Sequence, residues 1–152
     1  MSGSSAKAPA RDALARLVTA ARAVRDRAYA PYSKYRVGAA ILTKSGSVFT
    51  GANVENATYG ATICAERSAI VQMVAAGERD PIACAVATGG PRAGSPCGIC
   101  RQVLREFARD MPIALVAEQG GRLTRRDTTL AKLLPDAFDG SALKKTRKKK
   151  SA

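Results

Sequence analysis

The chain contains no histidine and no tryptophan. Without imidazole, acid and base chemistry near neutral pH falls to carboxylates, and a metal site loses its commonest nitrogen ligand. Aromatic residues make up only 5% of the chain, and none interrupts the basic run from Lys144 to Lys150, so a stacking platform for single-stranded nucleic acid is not indicated. Long apolar runs are missing as well. The longest, Ile113 to Ala117, is far short of the ~18 residues that span a membrane, and no signal-like apolar stretch stands near the start. A soluble, cytoplasmic protein without a membrane partner is expected. Acidic residues are few, 12 against 25 basic, for a net charge of +13. Six of those charges fall in Lys144 to Lys150, which leaves +7 on the rest. The excess is thus concentrated in a solvated tail, whose contact with nucleic acid is at most an accessory role.

A chain of 152 residues with 46% hydrophobic content suits one domain with a sizeable core. Internal repeats are absent. Residues 1–9 read as a flexible leader, 10–140 as the folded domain and 141–152 as a disordered basic tail. Leu14, Leu17, Val18, Ala21, Val24 and Ala28 recur at helical spacing, predicting an amphipathic helix with solvated arginines that Pro31 ends. Tyr35 to Thr43 reads as a strand, Lys44 to Ser47 as a hairpin turn, and Val48 to Thr50 as the return. Gly38 and Gly51 mark bulges or close backbone approach. A helix is expected from near Cys64 to Ala76, stopped by Gly77, with Ala65, Ala69, Ile70, Met73 and Val74 inward. Ile82 to Thr88 is a strand covered on both faces, Gly98 to Ala108 a helix, and Pro112 to Ala117 another buried strand. After a Gly120-Gly121 turn, Arg122 to Thr128 is at best a polar edge strand, and Thr129 to Leu134 a short helix ending at Pro135. This order implies an α/β fold, a mixed sheet with helices on both faces.

Three of the four cysteines lie in Ile63-Cys64-Ala65-Glu66-Arg67 and Pro96-Cys97-Gly98-Ile99-Cys100. Cys-x-Glu followed by Pro-Cys-x-x-Cys is the pattern of the zinc deaminases, with cysteine in the first ligand position. Cys64, Cys97 and Cys100 have ligand spacing and no fourth ligand is available, so the site is open, as catalytic zinc sites are and structural ones are not. Both ligand segments fall at predicted helix starts, where the helix dipole favours thiolate. Glu66, two residues after a ligand, can reach a bound water without coordinating. Three thiolates leave zinc(II) with one net negative charge, which a neighbouring cation offsets. Arg67 is the candidate to donate to the sulfurs, and Arg101 a second. Cys84, inside an apolar strand, reads as core.

The chain resembles the small homotetrameric zinc-dependent cytidine deaminases. The resemblance is carried by Ala30-Pro31-Tyr32-Ser33-Lys34-Tyr35-Arg36-Val37-Gly38-Ala39-Ala40, Asn53-Val54-Glu55-Asn56, the two cysteine segments, and Leu133-Leu134-Pro135-Asp136-Ala137-Phe138. It implies a three-layer α/β/α sandwich around a mixed, mostly five-stranded sheet. It also implies a homotetramer, one zinc ion per subunit, and hydrolytic conversion of cytidine and 2′-deoxycytidine to the uridines with release of ammonia in pyrimidine salvage. By the same likeness Glu66 is the acid/base, and Asn53 and Glu55 hold the ribose hydroxyls. The Ala65 N–H meets the pyrimidine carbonyl, and the carbonyl region of Ser95 receives the exocyclic amine. Tyr59 and Phe138 reach the site across subunit boundaries. Tyr35 stands where relatives more often carry phenylalanine beside the base, and its hydroxyl bears on substrate breadth.

Three other readings remain. A relative with the same zinc motifs could deaminate another cytosine compound such as blasticidin S, for which the Asn53 and Glu55 pair is not expected. An editor of cytosine in RNA or DNA needs room for flanking nucleotides. A zinc-stabilised binding module needs a fourth ligand.

Overall fold

The computed structural model describes the backbone of residues 7–143, so most of the expected leader and the basic run from Lys144 onward lie outside the described residues. The elements run α1 (Lys7–Arg25), β1 (Val37–Thr43), β2 (Val48–Ala52), α2 (Ala65–Ala75), β3 (Pro81–Gly89), α3 (Gly98–Phe107), β4 (Pro112–Gln119), β5 (Arg122–Thr129) and α4 (Leu130–Leu133). Helix α1 begins inside the stretch read as a leader. Pro9 falls in its first turn, where backbone N–H groups have no intrahelical acceptor and a proline is tolerated. A short helical turn at Gly140–Leu143 likewise takes in the first residues of the expected tail.

The strands form one mixed sheet in the order β2-β1-β3-β4-β5. β1 is antiparallel to β2 and β3, β3 is parallel to β4, and β5 closes the far edge antiparallel to β4. In the apolar strands the side chains alternate between two unlike layers. Ala40, Ala83, Ala85, Ala87, Ala114 and Val116 face α1, which contributes Leu14, Leu17, Val18 and Ala21. Ala39, Ile41, Cys84, Val86, Ile113 and Leu115 face the other side, where Ala69, Ile70 and Met73 of α2 and Leu104 of α3 cover them. Small residues on the first face let α1 lie close. An added Cβ at Gly38 would stand 2.1 Å from the Ala21 carbonyl oxygen. Gly51 plays the same part for α2, its Cβ falling 2.4 Å from the Ala69 nitrogen. Both glycines thus mark close approach.

Helix α1 ends at Arg25, short of Ala28 and Pro31. The chain leaves the helix because Tyr29 pairs instead with the segment after β2: its N–H donates to Asn53 O at 3.0 Å, and its carbonyl accepts from the Glu55 N–H at 2.8 Å. Two arginines expected to be solvated are bound. Arg22 pairs with Glu118 at 2.9 Å and Arg25 donates to Thr88 O at 2.7 Å, tying α1 to the ends of β4 and β3. Strand β1 starts at Val37, two residues later than expected, since the Asn53 amide takes the place of a ladder partner there, and β2 runs on to Ala52. Gly77, at φ +88°, stops α2 with N–H bonds back to the last turn, as expected. No helix among the described residues is long and apolar enough to cross a membrane.

Candidate active site and metal centre

The sheet places the N-termini of α2 and α3 together. Cys64 is the residue before α2 and Cys97 the residue before α3, both in extended conformation and neither capping its helix through the side chain. Cys100 follows in the first turn of α3 and is fully buried. The three sulfurs lie within 4.8 Å of one another, with Cys64 and Cys97 at 3.9 Å. Tetrahedral zinc with Zn–S bonds of about 2.3 Å sets its sulfurs about 3.8 Å apart, so the trio fits that ion. Cys84 takes no part. It is buried in β3, where loss of water pushes its thiol up, as expected of a core residue.

Cys64 and Cys100 are shifted in opposite directions. The Cys64 thiol is lowered to about 5, first by its hydrogen bond with Cys100 and then by Arg67, whereas Cys100 is raised by the same bond and by burial. Glu66, in the first turn of α2, is 4% exposed and accepts from the Cys100 thiol at 3.6 Å. Burial, followed by the negative charge on Cys64, raises its carboxyl. Arg67 donates from Nη2 to Thr62 O at 2.9 Å and to Cys64 Sγ at 3.8 Å, as expected of a cation beside the sulfurs. Its Nε is buried with no partner among the described residues. Arg101 behaves otherwise than expected. It bonds to Pro96 O, Leu133 O and Ser95 Oγ and to no sulfur, because its position one turn after Cys97 aims the guanidinium back along the approach to α3.

Residues 12–115 match the family model described as the cytidine and deoxycytidylate deaminase zinc-binding region. The chain belongs to the cytidine and deoxycytidylate deaminase family. All three cysteines of the trio, Glu66 and Arg67 lie inside the region that matches, and the trio is positioned to hold the metal ion for which that region is named. A cytidine deaminase of Halalkalibacterium halodurans is 46% identical over 123 residues, 80% of this chain and 91% of that one. The crystal structure of cytidine deaminase from Burkholderia pseudomallei superposes with a TM-score of 0.76 at 46% identity, covering 82% of this chain and 98% of that chain. At lower identity, 34% over 112 residues, stands a blasticidin-S deaminase of Bacillus cereus, covering 68% of this chain and 76% of its own.

The other residues that the deaminase motifs single out fall into three groups. Asn53 is buried and bridges the start of β1, its Oδ1 accepting from Val37 N at 2.8 Å and its Nδ2 donating to Tyr35 O at 2.9 Å. Glu55 accepts from the backbone N–H groups of Tyr32 at 2.8 Å and Ser33 at 3.2 Å and from the Ser33 hydroxyl. That hydroxyl is the main cause of its lowered pKa. Glu55, Ser33, Tyr32, Asn56, Tyr59 and Thr62 line a cleft of about 310 Å³. Thr62 joins the cleft to the metal centre, because its carbonyl accepts from Arg67. Tyr35 is half exposed, with its hydroxyl against Gly94. Ala65 opens α2, so its N–H has no intrahelical acceptor.

Tyr59 lines the cleft with Glu55 but makes no contact with the cysteines, and Phe138 lies outside that cleft. They are 76% and 59% exposed, and among the described residues no hydrogen bond or ring contact joins either side chain to the cysteines. Tyr59 packs edge-on against Tyr32 at 5.9 Å. The Phe138 backbone is held by Gln102, whose Nε2 donates to its carbonyl at 2.9 Å. Sequence reading missed Ser33 and Thr62. The one signal for Ser33 was its place in a Pro-Tyr-Ser-Lys turn, which Lys34 completes at φ +59°.

Proposed function

We propose that this chain hydrolyses cytidine and 2′-deoxycytidine to uridine and 2′-deoxyuridine, releasing ammonia. The observation that carries the reading is Glu66, buried and 3.6 Å from Cys100 Sγ at the edge of a three-sulfur cluster that has no fourth protein ligand among the described residues. Cys64, Cys97 and Cys100 hold one zinc ion per subunit, which when bound supplies Lewis-acid activation of water. Glu66 takes the proton of the water attacking C4 and gives it to the ring nitrogen N3. It then moves the remaining hydroxyl proton to the exocyclic amine, so that the C4–N bond breaks, C4 becomes a carbonyl and ammonia leaves. Arg67 offsets the charge of the sulfurs.

The Ala65 N–H binds the pyrimidine carbonyl, Tyr35 stacks beside the base, and Glu55 and Asn53 face the ribose. Asn53 has one N–H and one lone pair left after its two backbone bonds, enough for a single hydroxyl. Tyr59 and Phe138 complete the sites of neighbouring subunits in a homotetramer. Their exposure, with that of Ile99 beside the cysteines, leaves apolar surface that such assembly covers. The protein works in the cytoplasm in pyrimidine salvage, and the basic run from Lys144 is a solvated, solubilising tail outside the catalytic role. Blasticidin S is the weaker alternative, resting on a 34% identical relative against 46% for a cytidine deaminase.

The test follows the fall in ultraviolet absorbance of cytidine with purified protein and with Glu66→Gln, zinc being measured in both. The expected result is turnover by wild type and a variant that keeps zinc but loses activity by at least ~10²-fold. Zinc-loaded wild type that consumes neither nucleoside would overturn the assignment, and turnover of blasticidin S would replace it.

A further inference from the structure

We propose that Arg101 is the positioning residue of Cys97, and that it does so by fastening the approach to α3 onto the C-terminal end of α4. The inference rests on the reading of Cys97 as a metal ligand and adds what holds it in place.

Cys97 is the exposed member of the trio and ends an irregular segment that has no strand partner. Its immediate predecessors are held by one side chain. Arg101 Nε donates to Pro96 O at 2.7 Å and Nη2 to Ser95 Oγ at 3.2 Å, while Nη1 reaches across to Leu133 O at 2.8 Å. Among the described residues no other hydrogen bond reaches Ser95 or the Pro96 carbonyl. Pro96 is fully buried, so its carbonyl needs a donor that water cannot replace. Leu133 ends α4, and its carbonyl has no intrahelical donor. The guanidinium thus satisfies two carbonyls that the fold leaves open and locks the residue before Cys97 to an element distant in sequence. Three acceptors in different directions require a planar fork. A lysine ammonium on a flexible stem cannot hold all three at once.

The fork, and not the charge, is therefore what Cys97 depends on. This separates Arg101 from Arg67, which touches a sulfur directly. The experiment uses the full chain with Arg101→Lys, Arg101→Gln and Arg105→Ala. Arg105 lies on the same helix and pairs with Asp139 at 2.8 Å, so its loss loosens the C-terminal segment without touching Pro96. Zinc affinity is read by chelator competition, and the geometry of the three sulfurs by the absorption of the cobalt-substituted protein. Circular dichroism checks folding.

Both Arg101 variants are expected to bind zinc 10- to 100-fold more weakly, on the order of what supporting partners of metal ligands contribute, with weakened thiolate-to-cobalt bands. Arg105→Ala should match wild type within about twofold. Wild-type affinity and spectrum in Arg101→Lys would overturn the proposal, since charge alone would then suffice. That variant decides the matter if Arg101→Gln does not fold. An equal loss in Arg105→Ala would also overturn it, by making the effect one of general loosening. Failure of wild type to bind zinc or cobalt through three thiolates would instead sink the metal-centre reading itself, and this inference with it.

Discussion

Replacing Gly51 by alanine should damage the active site from the other side of α2. A Cβ at this position falls 2.4 Å from the Ala69 nitrogen, 2.5 Å from the Ala65 carbonyl oxygen and 2.8 Å from Ser68 Cβ. Two of the three are helix backbone, which cannot rotate away, so relief to ordinary contact at 3.4 Å means lifting the first turns of α2 by about 1 Å. That part of the helix carries Cys64 and Glu66, while Cys97 and Cys100 ride on α3 and do not follow. A misplacement of about 1 Å at reacting groups lowers turnover by roughly 10²-fold, and overpacking of this kind costs about 1–3 kcal/mol of stability. Gly38→Ala is the control. Its Cβ meets α1 at 2.1 Å from the Ala21 carbonyl oxygen, on the opposite face of the sheet from the cysteines. Steady-state kinetics on cytidine, zinc content and thermal unfolding of both variants separate the effects. Both should melt several degrees lower, but only Gly51→Ala should lose kcat per folded, zinc-loaded molecule. Equal kcat in the two variants would refute the claim that contact between α2 and β2 sets the site geometry.

Two further outcomes follow from buried and bonded groups. Cys84→Ala should keep one zinc per chain and lose only about 1 kcal/mol in denaturant titration, whereas Cys97→Ala should lose the metal, because Cys84 sits under α2 with no ligand partner. Asp110 accepts the N–H groups of Ala131 and Met111, each at 2.9 Å, and the Ala131 bond foremost holds its carboxyl below the usual range. A depressed folded pKa stabilises above the unfolded value near about 4 and loses that contribution as pH falls through the lower folded value. The difference in Tm between wild type and Asp110→Asn should therefore be flat from about pH 5 to 8 and close as pH falls below the unfolded value near about 4. A difference that grew on acidification would refute the assigned bonds.

The fold was legible where apolar spacing and punctuation agreed. Gly77 and the Gly120-Gly121 pair end their elements as read, both with positive φ, and the paired cysteine segments open two helices as their spacing implies. Where the elements depart from apolar spacing, bonds to a segment distant in sequence have taken over. Helical periodicity continues past Arg25 to Ala28, but the bonds between Tyr29 and the segment after β2 outweigh one more turn, and nothing local to residues 25–31 announces a partner more than twenty residues away. Strand β1 is shortened for the same reason. Asn53 supplies the acceptor and donor that Tyr35 and Val37 would otherwise find in a neighbouring strand.

The site divides along the same line. That Cys64, Glu66, Cys97 and Cys100 stand at helix starts could be read from sequence, because local spacing fixes their relation to each helix. What brings the two helix starts together is not local. It depends on Gly51 letting α2 settle on β2, on the parallel pairing of β3 with β4 that sets where α3 crosses, and on Arg101 closing the approach to Cys97. Arg101 follows Cys100 in sequence, which suggests a cation for the sulfurs, yet on a helix a neighbour in sequence points about 100° away, while the residue one turn back lies beneath it. Cys97 is that residue one turn back, and its N-terminal neighbours are what the guanidinium holds. The charge beside the sulfurs comes from Arg67, three residues after Cys64 on its own helix, by the same geometry. Each ligand helix therefore brings its own arginine about one turn along, one touching sulfur and the other the backbone before it, and only the first of these roles could be anticipated from the requirement for charge.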